Sequence, residues 1–336
     1  MRSLGLPMMT SVLGRLGVHR IPVPVPFPEA GGPANVYVIE EEGGGVALFD
    51  AGIGTKDGRD ALHKGFARLN LSLGDVRRIF VSHGHIDHYG YARAAQEASG
   101  APVHAHVRDH DKLTGRDRTR QRLDRYAAYL TRLGAPAHLL EHVKVHWQDA
   151  LRMARPLEQV EPLSSGAILR FKRFSAEVLH LPGHTPGLVC LWAEGSRVLF
   201  SDDHLLERVS PNPLLDLEGQ AEPTHKALLA YLDSARRVRA LPAEVIAPGH
   251  AEPFSGHVAI IDRLLSFYEK RQQRILELLR PGPSAPAELA PLVFPHAREH
   301  QLYLTLSEVM GNLEVLEASG RVVRGERDGR IRFEAV

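Results

Sequence analysis

"VSHGHIDHYG", residues 81–90, sets His83, His85, Asp87 and His88 within six positions, directly after the apolar run "RIFVS". An imidazole or carboxylate is costly on a dry core face unless something pairs with it, and both are good ligands for a d-block cation. With 19 histidines in 336 residues, chance spacing seldom groups three of them with an aspartate at the end of a strand. The stretch therefore predicts a metal-binding loop at a strand's C-terminal end.

Working outward, the flanking segments alternate between strand and helix patterns. "HRIPVPVPFP", with prolines at 22, 24, 26 and 28, suits an edge strand or an extended entry segment after a frayed N-terminus. "NVYVIEEEGGGVALFDAG" reads as two strands about a turn at Gly43–Gly45, and "KDGRDALHKGFARLNL" as a helix whose apolar face holds Leu62, Phe66 and Leu69. "YARAAQEAS" continues as a short helix and "GAPVHAH" as another strand. Such alternation is the pattern of layered α/β architecture.

Residues 108–160 differ. Between Arg108 and Arg132 eight lysines and arginines stand against four aspartates, and Leu123, Ala127 and Leu130 form an apolar stripe. The spacing predicts an amphipathic helical insertion whose other face carries Arg118, Arg122, Arg125 and Arg132. That face is either merely solvated or part of a lid attracting an anionic substrate. Strand patterns resume through "AILRFKRFSAEVLHLPGHTPG", "LVCLWAEGSRVLFSDDHLL" and "AEVIAPGH", with a helix at "PTHKALLAYLDSARRVRAL" between them.

From residue 258 the pattern is helical. "VAIIDRLLSFYEKRQQRILELLR", "AELAPLVF" and "YLTLSEVMGNLEVLEAS" are followed by a hairpin about Arg327-Asp328-Gly329. Three helices and a hairpin make a winged helix, so the domains predicted are residues 1–257, with the 108–160 insertion, and 258–336.

Bulk properties narrow the function. A formal net charge of +1 gives no overall field for nucleic acid or an anionic membrane. Cys190 is the only cysteine, which excludes an intrachain disulfide and fits a reducing, cytoplasmic setting. No stretch approaches 18 consecutive apolar residues, so no membrane span is expected.

Further ligand-type residues close other strands: Asp50 in "LFDAG", His184 in "LPGHTPG", Asp202 and Asp203 in "LFSDDHLL", and His250 in "APGH". Parallel strands would bring these ends to one sheet edge, where α/β sites gather. Even with Asp50 and Asp202 set aside, the seven ligand candidates are too many for one tetrahedral ion, which points to two.

These motifs, H-x-H-x-D-H followed by His184, Asp203 and His250, resemble the metallo-β-lactamase superfamily across roughly residues 20–255. The resemblance implies a four-layer αβ/βα sandwich with metals at the sheet edge. It implies His83, His85 and His184 on one divalent ion, and Asp87, His88 and His250 on a second. Asp203 would bridge them, and Asp50 would orient a ligating imidazole from outside. Asp202 stands where the superfamily often has glycine. Mixed imidazole and carboxylate ligation suits Zn²⁺, with Mn²⁺ or Fe²⁺ also compatible. A hydroxide shared by the two ions would be the nucleophile, with Asp87 receiving the water's proton and Asp203 holding both ions.

Three readings follow. The first is a binuclear hydrolase of a small ester or thioester, with chemistry similar to glyoxalase II. The second is an endoribonuclease on single-stranded RNA, favoured by the basic insertion and by Arg321, Arg324, Arg327, Arg330 and Arg332 of the wing. The third is a winged-helix nucleic-acid-binding regulator; iron-dependent redox chemistry is a remaining possibility. DNA is a poor partner for a third helix that lacks lysine and arginine and carries Glu308, Glu314 and Glu317. The terminal unit is expected to serve packing or homodimerisation and to shape the active-site wall. His104, His106 and His180 are read as structural, Cys190 as buried, and His204 as a residue able to approach substrate.

Overall fold

The computed structural model describes residues 5–116, 120–218, 220–298 and 301–336. Two sheets form its centre. The first, in the order β1 to β6, comprises Val18–Val23, Ala34–Glu40, Val46–Phe49, Val76–Phe80, Val103–Ala105 and Glu161–Pro162. The second runs β11-β10-β9-β8-β7, from Val245–Pro248, Val198–Asp202, Val189–Ala193 and Ser175–His180 to Ile168–Arg170.

Side-chain alternation along the strands builds the layers. In β2, Val36 and Val38 face an outer core with Leu62 and Phe66 of α2 (Lys56–Arg68) and Ala92 and Ala95 of α4 (Ala92–Ser99). Tyr37 and Ile39 face the opposite way, into a core shared with Val178, Leu191 and Phe200 of the second sheet. That sheet's other face, with Cys190, Leu199 and Ile246, packs on Leu228, Tyr231 and Leu232 of α8 (Ala227–Arg239) and on Ile260 and Ile261 of α9 (His257–Leu279). The result is helix, sheet, sheet, helix: four layers, with each fully buried Leu, Ile or Phe contributing roughly 1.5–3 kcal/mol.

β1, which ends just after Pro22 and leads into the segment with Pro24, Pro26 and Pro28, does lie at a sheet edge. The segment before it is not frayed. Leu6–Arg15 form helix α1 with Pro7 in the first turn, and Met9 and Leu13, four residues apart, bury in the inter-sheet core.

The insertion is helical: α5 (His110–Thr114), α6 (Arg120–Arg132) and α7 (Ala137–Arg152) follow the short α3 (Ile86–Tyr89) and α4 in chain order. Tyr126, Tyr129 and Leu130 of α6 share a core with the C-terminal elements. Those elements are the distal half of α9, α10 (Pro286–Val293), α11 (Leu302–Ala318) and a hairpin of β12 (Val322–Arg327) and β13 (Arg330–Ala335). The hairpin turns through Asp328 at φ 52° and Gly329 at φ 71°, as a two-residue primed turn requires.

Helix α11 is buried nearly all round. Glu308 and Glu314, two of the acids that make this helix a poor partner for DNA, are 5% and 4% exposed and pair with Arg271 and with Lys226. The arginines of insertion and wing are largely engaged within the chain. Arg132 bonds Glu222 and Glu326, Arg324 bonds Glu222, Arg332 bonds Glu288, and Arg122 lies over the Tyr126 ring. Arg118 of the expected basic face lies outside the described residues. No helix among the described residues is long and apolar enough to cross a membrane.

Candidate metal centre

The site forms where strands of both sheets end. Asp50 follows β3, His83 and His85 follow β4, and Asp87 and His88 lie in α3. His184 follows β8, Asp202 ends β10 with Asp203 next, and His250 follows β11. Within each sheet these strands run parallel or are related through one antiparallel neighbour, so their C-terminal ends share an edge.

The chain brings all seven ligand candidates together. His83 Nε2 lies 3.0 Å from His85 Nδ1, and His184 Nε2 lies 2.9 Å from the same nitrogen. His88 Nε2 lies 3.3 Å from His250 Nε2, and Asp87 Oδ2 is 3.9 Å from the first and 3.5 Å from the second. Asp203 stands between these groups. Its Oδ2 is 3.4 Å from His184 Nε2 and 3.5 Å from His88 Nε2, and its Oδ1 is 3.5 Å from His250 Nε2. His83, His85, His184 and Asp203 thus form one cluster with ligand atoms mutually within 4.8 Å, and Asp87, His88 and His250 form another.

These residues fit cations. Three imidazole nitrogens converge at the first cluster, and a single shared proton cannot satisfy three lone pairs. Asp203 Oδ1 is buried with no hydrogen-bond donor among the described residues. Most ligand rings, moreover, turn their other nitrogen to an acceptor. His88 Nδ1 meets Asp50 Oδ2 at 2.9 Å, His184 Nδ1 the Asn212 carbonyl at 3.1 Å, and His250 Nδ1 the Gly32 carbonyl at 3.1 Å. His83 Nδ1 meets Ser82 Oγ at 2.9 Å and Asp202 Oδ1 at 3.1 Å. Donating that proton leaves the facing nitrogen as a lone pair aimed inward, the arrangement that fixes metal-ligating histidines.

Electrostatics differ between the two halves. Desolvation, with His184 and His83 beside it, holds His85 well below the usual histidine range, and burial brings His184 down to about 4. Around His250, burial opposes charge, but the Asp203 and Asp87 carboxylates prevail and raise it to about 9. Asp50 is pushed well up by burial and by the adjacent Asp202.

Three supporting residues escaped the sequence reading. Asp109 Oδ2 accepts from Gly84 N at 2.9 Å and Thr185 Oγ1 at 2.7 Å, so one carboxylate ties the His83–His85 loop to the His184 loop. Lys112, 3.1 Å from Asp109 and 2.5 Å from Asp216, offsets the burial of that carboxylate and helps bring it down to about 2. Asp109 follows a strand just as the ligands do, and that position was its available signal. Asn212, whose carbonyl meets His184, donates from Nδ2 to the Leu304 carbonyl of α11 at 3.1 Å, so the terminal unit braces this ligand. Asp202 was noted only as a departure from glycine, yet it touches the site.

His104, His106, His180 and His204 lie outside the clusters. His104 stacks on Phe80, and His106 on His180 with ring centroids 3.9 Å apart. His204 is buried with its ring 5.3 Å from that of Tyr231. Cys190 is buried and its thiol meets the Ser201 carbonyl.

Comparison with known proteins agrees with this geometry. The family model for the metallo-beta-lactamase superfamily matches residues 30–250. A probable metallo-hydrolase of Bacillus subtilis, YqjP, is 29% identical over 300 residues, covering 89% of this chain and 92% of its own. The crystal structure of the metallo-beta-lactamase family protein TTHA1429 from Thermus thermophilus superposes with a TM-score of 0.81 at 29% identity, covering 95% of this chain and 99% of that one. The hydroxyacylglutathione hydrolase GloC of Haemophilus influenzae is 26% identical over 173 residues, which is 52% of this chain and 67% of its own.

Proposed function

The chain belongs to the metallo-β-lactamase superfamily, and from that premise we propose that it is a binuclear metallo-hydrolase acting on a small ester or thioester. The observation that carries the reading is the position of Asp203: one carboxylate, 6% exposed, lies between two complete ligand clusters and faces both. His83, His85 and His184 would hold one divalent ion, and Asp87, His88 and His250 the other. Zn²⁺ is the cation best suited to this donor set, and Mn²⁺ or Fe²⁺ are compatible with it. Two such ions supply a nucleophile at neutral pH, by lowering the pKa of water from 15.7 to about 7, and an electrophile for the substrate's oxygen.

The chain's own residues do the rest. Asp203 fixes the spacing between the clusters. Asp50 holds His88 by its Nδ1 and sets that ring's direction. Asp87 Oδ2, beside His88 and His250, is placed to take the proton of the attacking water. The segment after Asp203 is held by the Tyr126 hydroxyl on Leu217 N, by Ser307 Oγ on Leu215 N and by the Tyr303 hydroxyl on the Leu215 carbonyl. Insertion and terminal unit thereby act as a wall for one side of the site. In this reading the terminal unit is a winged helix used for packing, in a cytoplasmic protein with no membrane partner.

Two observations favour a small acyl substrate over RNA. Three of the arginines that would grip a phosphate backbone, Arg132, Arg324 and Arg332, are engaged by Glu222, Glu288 and Glu326. The similarity to GloC, named a hydroxyacylglutathione hydrolase, favours thioesters. The test is turnover of a thioester and ester panel beside single-stranded RNA, by the wild type and by Asp87→Ala. Thioester turnover lost in the variant is expected; cleavage of RNA alone would overturn the reading. Inactivity of both proteins together with a gel shift on DNA would instead favour a regulator.

A further inference from the structure

We propose that Asp202 is a positioning residue for the first cluster, so that each metal cluster has its own outer carboxylate: Asp50 for His88 and Asp202 for His83. Asp202 ends β10 at φ +46°, in the left-handed region, where a register shift separates it from Phe200. Glycine would occupy that backbone at least cost, whereas a residue with a Cβ is strained there. Such strain persists where surrounding structure enforces it, commonly at functional sites.

The side chain accounts for the retention. Asp202 is 1% exposed. Its Oδ1 lies 3.1 Å from His83 Nδ1 and accepts the Asp203 backbone N–H at 2.9 Å. The same oxygen is farther, 3.6 Å, from His88 Nδ1, which Asp50 Oδ2 approaches at 2.9 Å. The two carboxylates therefore divide the ligands between them.

Ser82 does not make Asp202 redundant. Its hydroxyl has one proton, and Asp50 Oδ2, 3.0 Å away, is there to receive it; its backbone N–H also goes to Asp50 Oδ1 at 2.8 Å. Toward His83 the hydroxyl can only accept, and a carboxylate is the stronger acceptor for the ring N–H. Held from Nδ1, the His83 ring turns Nε2 toward His85 Nδ1, 3.0 Å away, where the first ion would sit. Through the Asp203 N–H, the same oxygen also sets the start of the bridging residue.

The inference rests on the His83, His85 and His184 cluster alone, not on the binuclear reading. A His250→Ala background disables the second cluster and isolates the first. In it, Co²⁺ affinity is measured by competition with a chromophoric chelator for Asp202→Gly and Asp202→Asn, together with the melting temperature of each metal-free protein. Asp202→Gly is expected to bind Co²⁺ about 10–100-fold more weakly, the range found for partners of ligating histidines. Its metal-free melting temperature should fall by a few degrees, because the His83 Nδ1 and Asp203 N–H donors lose their acceptor, so the affinity loss is read against Asp202→Asn, which keeps that acceptor. Asp202→Asn, whose Oδ1 can still accept from His83, should recover most of the affinity. Unchanged Co²⁺ affinity in Asp202→Gly would overturn the proposal, as would Asp202→Asn binding no better than Asp202→Gly. If the unmutated protein binds one ion in total, the binuclear reading fails and this assignment stands.

Discussion

A single methyl group at Gly249 is the sharpest perturbation of the centre that the structure offers. A Cβ built there would lie 2.4 Å from Asp203 Oδ1, 3.1 Å from the Asp202 carbonyl carbon and 3.1 Å from His88 Cε1. Ordinary contact begins near 3.4 Å, so the carboxylate must retreat by about 1 Å. Metal–ligand distances tolerate about 0.2 Å, so under the proposed binuclear reading Asp203 could not both clear the methyl and face two ions. The backbone has little freedom to move instead. The Gly249 carbonyl accepts from Asn35 N at 2.7 Å, and the next residue, His250, bridges Ala34. Overpacking of this kind costs about 1–3 kcal/mol, which leaves most of a typical stability of 5–15 kcal/mol intact. Gly249→Ala should therefore fold, lose at least one equivalent of metal and lose at least about 100-fold in thioester turnover. Circular dichroism, elemental analysis and a turnover assay on one preparation measure all three. A folded Gly249→Ala protein with full metal content and activity within twofold of wild type would refute the placement of Asp203.

Other perturbations are equally specific. Asp50→Ala leaves three buried donors without their acceptor, Ser82 N, Ser82 Oγ and His88 Nδ1; at about 1–3 kcal/mol each, the metal-free melting temperature should fall by roughly 10 °C, with Asp50→Asn milder, and an unchanged melting curve would contradict this. Glu314 is raised from 4.5 to about 7 by burial, only partly offset by Lys226. Its contribution to stability is complete below about pH 4.5 and is lost as pH rises through 7. Glu314→Gln should therefore stabilise the protein at pH 8, by on the order of 2–3 kcal/mol, and do nothing at pH 4.5; thermal melts at the two pH values check the sign. A chain ending at residue 256 loses Ile260, Ile261 and Tyr268 from the fourth layer and the α11 brace on Asn212. It should aggregate on expression, and a soluble, metal-replete truncation would refute the bracing role.

The centre was legible because its chemistry is local. His83, His85, Asp87 and His88 are close in the chain, and Asp50, His184, Asp203 and His250 each follow an apolar strand, a pattern that needs no coordinates. The layers were legible from period-two and helical patterns, as at β2 and α2. Residues whose role depends on what lies across from them stayed hidden. Asp109 is an ordinary loop aspartate until Gly84 and Thr185 arrive beside it, and the Asn212 and Gly32 carbonyls carry no side-chain signal at all. The N-terminal segment failed for the same reason: Met9 and Leu13 become a helix face only because the space between the sheets receives them. The burial of Glu308 and Glu314 carried no sequence signal, because their partners Arg271 and Lys226, distant in sequence, are what let both carboxylates bury.

Anomalous diffraction from crystals of the protein, collected on both sides of the edge of its bound metal, tests the central claim most directly. The account predicts two peaks, one among His83, His85 and His184 and one among Asp87, His88 and His250, with an Asp203 oxygen in bonding range of each. One peak only, or two with Asp203 turned away from either, would contradict it.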